Sequence, residues 1–378
     1  MISRQPPTRS QIIVGAILTS ILLLFFFHGR NPGLNGLGGR PAELRRFGRT
    51  GKPPNSDIFN STLGFEKIFV IGLPTRTDRR DGIILQAAVS NMEIDFIDGV
   101  KGDTVPDKAI PIGKDQSRIG NASIGSWRAH MNAVQEIVHR NLSSALILED
   151  DVDWDIRLKQ QLYDFSLASR ALTQPLSSSS SSSPRYVDPT FNQPPDSMPN
   201  QIPTIKFDNL PSTIAPIVSP YGDDWDLLWL GHCGVTFPFD RPNHDKLPKG
   251  RVIHFDDVTV PPKGNLWSLN KPFTLVQDYP EHTRAIHHTQ EGVCSLGYAI
   301  SQRGARKLLY ELALKDVSDG FDILLRFFCE GGKAGRKAHK CLTAQPGYFQ
   351  HHRAVGPTSH ASDIGNHKGG YREKGLTI

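Results

Sequence analysis

The stretch Ala145-Leu-Ile-Leu-Glu-Asp-Asp-Val-Asp-Trp-Asp155 decides the fold. A short apolar run, residues 145–148, breaks off into Glu149, Asp150, Asp151, Asp153 and Asp155. A continuous apolar run of this length is what a strand needs when both faces of its sheet are covered. In open α/β sheets ligands bind outside the carboxyl ends of the strands. Acid packed there is costly unless a cation or hydrogen-bond donors satisfy it. Carboxylate oxygens suit Mg²⁺ or Mn²⁺, ions that commonly accompany phosphates. The stretch therefore reads as a metal–diphosphate site. On an extended chain, i and i+2 point the same way, so Glu149, Asp151 and Asp153 form the expected metal set. The competing reading is a solvated acidic turn, where Asp is common.

Working outward, residues 125–140 carry Trp127, Met131, Val134 and Val138 on one helical face and lead straight into the strand. His130 on that helix reads as structural. Upstream, Lys67-Ile-Phe-Val-Ile-Gly-Leu73 is a buried first strand ended by Pro74. Arg76, Arg79 and Arg80 follow it, and guanidinium forks recognise phosphate. We assign them, with Asp150, to the nucleotide side; an exposed basic loop is the alternative. Residues 81–91 suggest a helix and 95–98 a short strand. Downstream, residues 225–231, 252–255 and 297–301 read as strands, with Ser301 capping a helix that runs to Ala313. Helix alternating with strand is the α/β pattern.

Two further constellations stand out. Asp319 and Asp322 lie three apart before the apolar run 323–328, on one side of a helix start. Either could deprotonate an acceptor hydroxyl, or simply cap the helix. In Gln350-His-His-Arg353, which follows a strand end at Tyr348, His351 is the expected histidine ligand.

The chain has 378 residues, 38% hydrophobic and 21% charged, which suits a globular body carrying looser parts. Its net charge of +5 is dispersed, with no basic stripe of the kind nucleic acid requires. Residues 12–27 are almost wholly apolar, shorter than the ~20 of a full span, and no small-x-small cleavage site follows. We expect a cytoplasmic tail at 1–11, a signal anchor at 12–27, a flexible stem at 28–64, one catalytic domain at 65–361 and a loose tail at 362–378. Residues 173–222, with serine at every position from 177 to 183 and many prolines, read as a disordered insertion within that domain. The triplets Asn60-Ser-Thr, Asn121-Ala-Ser and Asn141-Leu-Ser are glycosylation acceptors. Four cysteines without Cys-x-x-Cys spacing suit two disulfides in an oxidising lumen. Three connectivities are possible; we expect 233–294 and 329–341.

Residues 68–80, 123–130 leading into Leu146-Ile-Leu-Glu-Asp-Asp151, and Gly297-Tyr-Ala-Ile-Ser301 with Gly304-Ala305 together resemble glycosyltransferase family 25. The insertion, the cysteines and the anchor are similar to fungal members. The resemblance implies an α/β fold of GT-A type: a Rossmann-like nucleotide-binding sheet joined to an acceptor-binding half. It implies inverting transfer from a UDP-sugar, typically UDP-galactose, to a glycan or glycoprotein hydroxyl, assisted by Mn²⁺ (or Mg²⁺). Glu149 and Asp151 match the family's acidic metal motif, Arg76 and Arg79 its donor-side block, and Asp319 or Asp322 falls near a second acidic pair. One departure is visible. The family's first strand usually ends Val-Ile-Asn-Leu, whereas this chain has Val70-Ile-Gly-Leu73. A membrane-anchored Golgi or ER enzyme is the resulting expectation. A sugar-binding protein that keeps the fold without turnover, and a glycoside hydrolase with two separated acids, are the alternatives.

Overall fold

The computed structural model describes residues 54–377 apart from 113–116, 193–201, 243, 334 and 359–369. The expected tail at 1–11, the anchor at 12–27 and most of the stem lie outside the described residues. Among the described residues, no helix is long and apolar enough to cross a membrane.

The chain order is β1 (Lys67–Gly72), α1 (Thr77–Val89), β2 (Asp95–Asp98), α2 (Asn121–His139), β3 (Ser144–Glu149), β4 (Val152–Trp154), α3 (Leu158–Thr173), β5 (Thr204–Lys206), β6 (Leu227–Gly231), β7 (Gly234–Thr236) and β8 (Arg251–His254). It continues with β9 (Arg284–His288), β10 (Gln290–Val293), β11 (Gly297–Ser301), α4 (Gln302–Leu308), α5 (Phe321–Glu330), β12 (Cys341–Gln345) and β13 (Phe349–Arg353). One mixed sheet runs in the order β2-β1-β3-β11-β6-β12-β9-β8-β5. β2, β1 and β3 are mutually parallel, the Rossmann-like corner of an α/β fold. β11 then enters antiparallel between β3 and β6.

The apolar run of β3 is buried because both of its faces are covered. Leu146 and Leu148 join Ile68, Val70, Leu228 and Leu230 against α3 residues Leu162 and Phe165. Ala145 and Ile147 point the other way, with Phe69, Ile71, Trp229 and Tyr298, against Trp127, Val134, Leu324 and Phe328 of α2 and α5. A strand that buries side chains on both faces has no polar side to show, so alternation is absent from its sequence.

Several expected boundaries move. α1 begins at Thr77 and α2 at Asn121, four residues before the apolar pattern in each case makes itself visible. Ser301 caps α4 as expected, its Oγ accepting from Gly304 N at 3.1 Å. Residues 350–353 do not follow a strand end; they form β13, which pairs with β4. Packing starts upstream of residue 65, because Ile58 and Leu63 are fully buried in the core.

The described parts of the 173–222 insertion are tied to the body at a few buried residues while the serine run stays largely exposed, so the segment is more ordered than its composition suggests. Asp188 is buried and accepts from Thr190 N (2.8 Å), Thr190 Oγ1 (2.6 Å) and Gly250 N (2.7 Å). Tyr221 is buried and donates to Leu63 O at 2.7 Å, and β5 adds an edge strand to β8. A few anchors tie the insertion to a core that already exists, so it does not need a core of its own. The far C-terminus also returns, Leu376–Thr377 pairing with β13. Both expected disulfides form, Cys233–Cys294 and Cys329–Cys341.

Candidate active site

A cavity of about 340 Å³ opens at the carboxyl ends of β1 and β3. Its walls are the end of β1 (Ile71, Gly72), the loop Gly99–Asp103, the first turns of α2 and the acidic end of β3. The loop and α2 touch closely: a Cβ on Gly102 would meet the Asn121 backbone, and one on Gly125 the Val100 carbonyl. These glycines let the N-terminus of α2 stand directly over the cavity.

Glu149, Asp150 and Asp151 all line it, as does His351. Asp151 lies at the centre of a charge cluster. Its Oδ2 is 3.0 Å from Arg353 Nη1, 3.6 Å from Arg79 Nη2 and 3.6 Å from His351 Nδ1. Burial works against the charged carboxylate, but His351, Arg79 and Arg353 outweigh it and hold Asp151 at about 2. Its other oxygen, Oδ1, is buried without a hydrogen-bond partner, and so is His351 Nδ1. A carboxylate with one unpartnered oxygen, and an imidazole nitrogen 3.6 Å from its other oxygen, form a donor set that fits a divalent cation. Among the described residues no third carboxylate or imidazole atom closes around this pair. The one trio found combines His351 with Cys233 and Cys294, whose sulfurs are already joined to each other. A cation held by two protein ligands leaves room for phosphate oxygens and water, the usual Mg²⁺ and Mn²⁺ arrangement at nucleotides.

Asp150 turns back over β1 and bonds Arg79 Nη1 at 2.7 Å. Burial pushes its carboxyl up to about 6 despite that guanidinium. The space it occupies belongs to residue 72: a Cβ on Gly72 would lie 2.9 Å from Asp150 Cβ and Cγ, and closer still to Oδ2. In this chain, then, Asp150 fills the volume that a side chain at residue 72 would take.

Glu149 accepts from Ser295 Oγ at 2.6 Å, and His130 Nε2 lies 3.6 Å from the same oxygen, Oε1. His130 is buried, stacked on Phe321 at 3.9 Å and bonded through Nδ1 to Tyr298 OH at 3.0 Å. It is built into the core as expected, and it also lines the cavity.

The other expected site residues are not brought to this cavity. Arg76 forks onto Asp78 at 2.8 and 2.9 Å and holds that carboxyl at about 2. Arg80 donates to Gly72 O at 3.1 Å and to Asp98, bracing β1 against β2. Asp153 faces a different cavity, because the turn after Glu149 breaks the i, i+2 register before β4 begins. Asp322 accepts from Cys294 N at 2.9 Å and from Ile323 N at the start of α5. Asp319 is taken by Ser318 (2.8 Å) and Lys333. Asp322 thus bonds at the helix start, whereas Asp319 is held by an ion pair and caps nothing.

The cavity also holds residues that the sequence did not single out. Arg353, on β13, and Ser295, in the loop before β11, reach its acids Asp151 and Glu149 from behind, and their local sequence carries no signal for it. Lys101 stands exposed at the rim in the loop after β2.

Residues 65–192 match the model of glycosyltransferase family 25 (LPS biosynthesis protein), which bears out the resemblance over the segment that supplies β1, α2 and β3. The chain is 31% identical over 111 residues to procollagen galactosyltransferase 2 of Mus musculus and 28% identical over 111 residues to that of Homo sapiens. Each alignment covers 26% of this chain and 18% of the relative. A protein named inactive glycosyltransferase 25 family member 3, from Homo sapiens, is 30% identical over 115 residues, covering 27% of this chain and 19% of the relative. The matched stretch spans less than a fifth of these relatives.

Proposed function

Starting from the family 25 match over residues 65–192, we propose that this chain is a glycosyltransferase of GT-A type. It moves a sugar from a UDP-sugar to a glycan or glycoprotein hydroxyl with inversion. Galactose is the donor sugar suggested by the names of the relatives. The observation that carries the reading is that Asp151 and His351, each with a buried unpartnered atom, line a cavity at the carboxyl ends of parallel strands.

In this reading the cation is Mn²⁺ or Mg²⁺, held by Asp151 and His351. When bound it offsets charge developing on the diphosphate leaving group. Arg79 and the α2 N-terminus hold the diphosphate, with Lys101 adding a cation at the rim. Arg79 is positioned for this by Asp150. Glu149, which lines the cavity and accepts from Ser295 at Oε1, takes the proton from the attacking hydroxyl. Inversion needs one such base and no covalent intermediate. The two disulfides, the apolar stretch at 12–27 and the exposed acceptor Asn60 support a lumenal, membrane-anchored enzyme of the Golgi or ER.

A second reading, a nucleotide-sugar-binding protein without turnover, is favoured by the similarity to a relative named inactive. UDP release by the full chain from a panel of UDP-sugars, with Mn²⁺ and with chelator, separates the two. Metal-dependent release from one donor is the expected result. UDP binding without release would favour the second reading, and absence of both would refute the donor site.

A further inference from the structure

His351, Cys233 and Cys294 form a trio whose ligand atoms all lie within 4.8 Å of one another. His351 lines the first cavity, whereas Cys233 and Gln350 line a second one, of about 380 Å³. The candidate donor site uses neither sulfur.

Strand pairing brings the three together. β7 and β10 run antiparallel with Val293 opposite Gly234, which sets the flanking Cys294 and Cys233 side by side. β13 meets β6 at Phe349 and Gly231, and so carries His351 in beside Cys233. These positions are held without help from the sulfur–sulfur bond. Cys233 N donates to Val293 O, and Leu269 N to Cys233 O, both at 2.8 Å. Cys294 N donates to Asp322 Oδ2 at 2.9 Å, and Trp229 Nε1 to Cys294 O at 3.0 Å. Both backbone groups of both cysteines are thus fixed by hydrogen bonds, so opened thiols would stay beside the imidazole.

Freed from each other, the two sulfurs become soft thiolate ligands. Two thiolates and an imidazole are a zinc donor set, with Zn–S ~2.3 Å and Zn–N ~2.0–2.1 Å in a tetrahedron. Such a tetrahedron spaces its ligand atoms about 3.5–3.8 Å apart, inside the 4.8 Å that encloses the trio. Rotation of the two cysteine side chains supplies that spacing while the Cα atoms stay 5.4 Å apart. The carboxylate of Asp151 suits Mn²⁺ or Mg²⁺ instead. His351, whose Nδ1 is buried without a hydrogen-bond partner, is the residue the two sets share.

Access favours this disulfide over the other. Cys233 is 8% exposed in the wall of the second cavity, whereas Cys329 and Cys341 are each 1% exposed within the core. Exchange requires an attacking thiolate to reach a sulfur.

We propose that the Cys233–Cys294 disulfide masks a zinc site of two cysteines and His351, which a dithiol opens. The dithiol gives up two electrons and two protons and closes to its own disulfide; the Cys233–Cys294 bond takes them and breaks into two thiols. Zn²⁺ then displaces the two thiol protons to solvent and binds both sulfurs and His351, with water in the fourth position. Zinc binding stands apart from the transferase reading. That zinc there draws His351 away from the Mn²⁺ or Mg²⁺ set rests on it.

The test reduces the full chain anaerobically with dithiothreitol, removes the reagent and titrates Co²⁺, whose thiolate charge-transfer band reports sulfur ligation. The reduced chain should take up about one Co²⁺ with that band, Zn²⁺ should displace it, and the oxidised chain should show no band. His351→Ala and Cys294→Ser should each weaken the site about 100-fold or more, at least the cost of losing a mere outer-shell partner. Circular dichroism of the reduced chain should match that of the oxidised one. No band, loss of the fold on reduction, or a cobalt affinity that His351→Ala leaves unchanged (thiols binding without a built site) would each overturn the proposal. Mn²⁺-dependent UDP release that persists in the reduced chain at saturating zinc would overturn the sharing of His351. A cobalt site without metal-dependent UDP binding would keep this site and sink the donor reading. UDP release without a thiolate band would do the reverse.

Discussion

Placing a side chain at residue 72 should dislodge Asp150 from Arg79. Gly72 has no positive φ, so Gly72→Ala carries no backbone strain and would by itself stabilise by about 0.4–1 kcal/mol. Against this, the new Cβ would lie 2.9 Å from both Cβ and Cγ of Asp150. Overlap with the Asp150 Cβ cannot be relieved by rotating that side chain, so the end of β3 must shift, at about 1–3 kcal/mol. The 2.7 Å bond to Arg79, between side chains that are 7% and 14% exposed, is lost as well. A hydrogen bond to a charged group is worth about 1.5–3 kcal/mol. The net expectation is a loss of roughly 2–4 kcal/mol. Urea unfolding at pH 7.5 of Gly72→Ala, Asp150→Gly and the double variant would measure it. In the Asp150→Gly background the space is free, so the same substitution should cost at most about 1 kcal/mol, a coupling of roughly 1.5–3 kcal/mol. Additivity within ~0.5 kcal/mol would refute the argument that these two residues share one volume.

Acid should destabilise the fold well above the carboxylate range. Burial holds His232 at about 4 and His287 and His288 at about 3. Their folded values lie below the unfolded value of 6.5, so the stability they contribute is present above pH 6.5 and is lost as pH falls toward 3. By pH 5 each has cost about 2 kcal/mol. Asp150, raised to about 6, works in the opposite sense and offsets about 1–2 kcal/mol of it. The pH dependence of urea midpoints should show a net fall between pH 6.5 and 5, shallower in His288→Gln; a flat profile would contradict it. Glu149→Gln should lower UDP-sugar turnover about 100-fold or more with UDP affinity kept, and undiminished kcat would remove Glu149 as the base. Asp188→Ala should cost about 2–4 kcal/mol in thermal unfolding, because three donors lose their acceptor; an unchanged Tm would return the insertion to the disordered reading.

Sequence was informative wherever the signal is local. The buried run ending at Glu149, the Trp127–Val134 face of α2 and the Ser301 cap depend on neighbours a few residues away, and the structure repeats them. Composition failed at the insertion because order there comes from Asp188 and Tyr221 reaching residues 62 and 158 positions away. The i, i+2 rule failed at Asp153 because the chain turns before β4. Asp319 and Asp322 present the same spacing whether they start a helix or serve a substrate.

By itself, then, the sequence determined that an acidic strand end exists, that it belongs to an α/β sheet, and that its surroundings resemble family 25. Those properties follow from side-chain periodicity and from the cost of buried acid, which act within a few residues. Only the tertiary structure decided which partners the acids meet. Arg79 joins Asp150 across 71 residues, and Arg353 reaches Asp151 across 202. Such pairs are set by strand order and register: β13 returns beside β4 and carries His351 to Asp151 on one side and Gln350 to a second cavity on the other. No local pattern encodes that order, because it is the packing of both faces of the sheet that selects it.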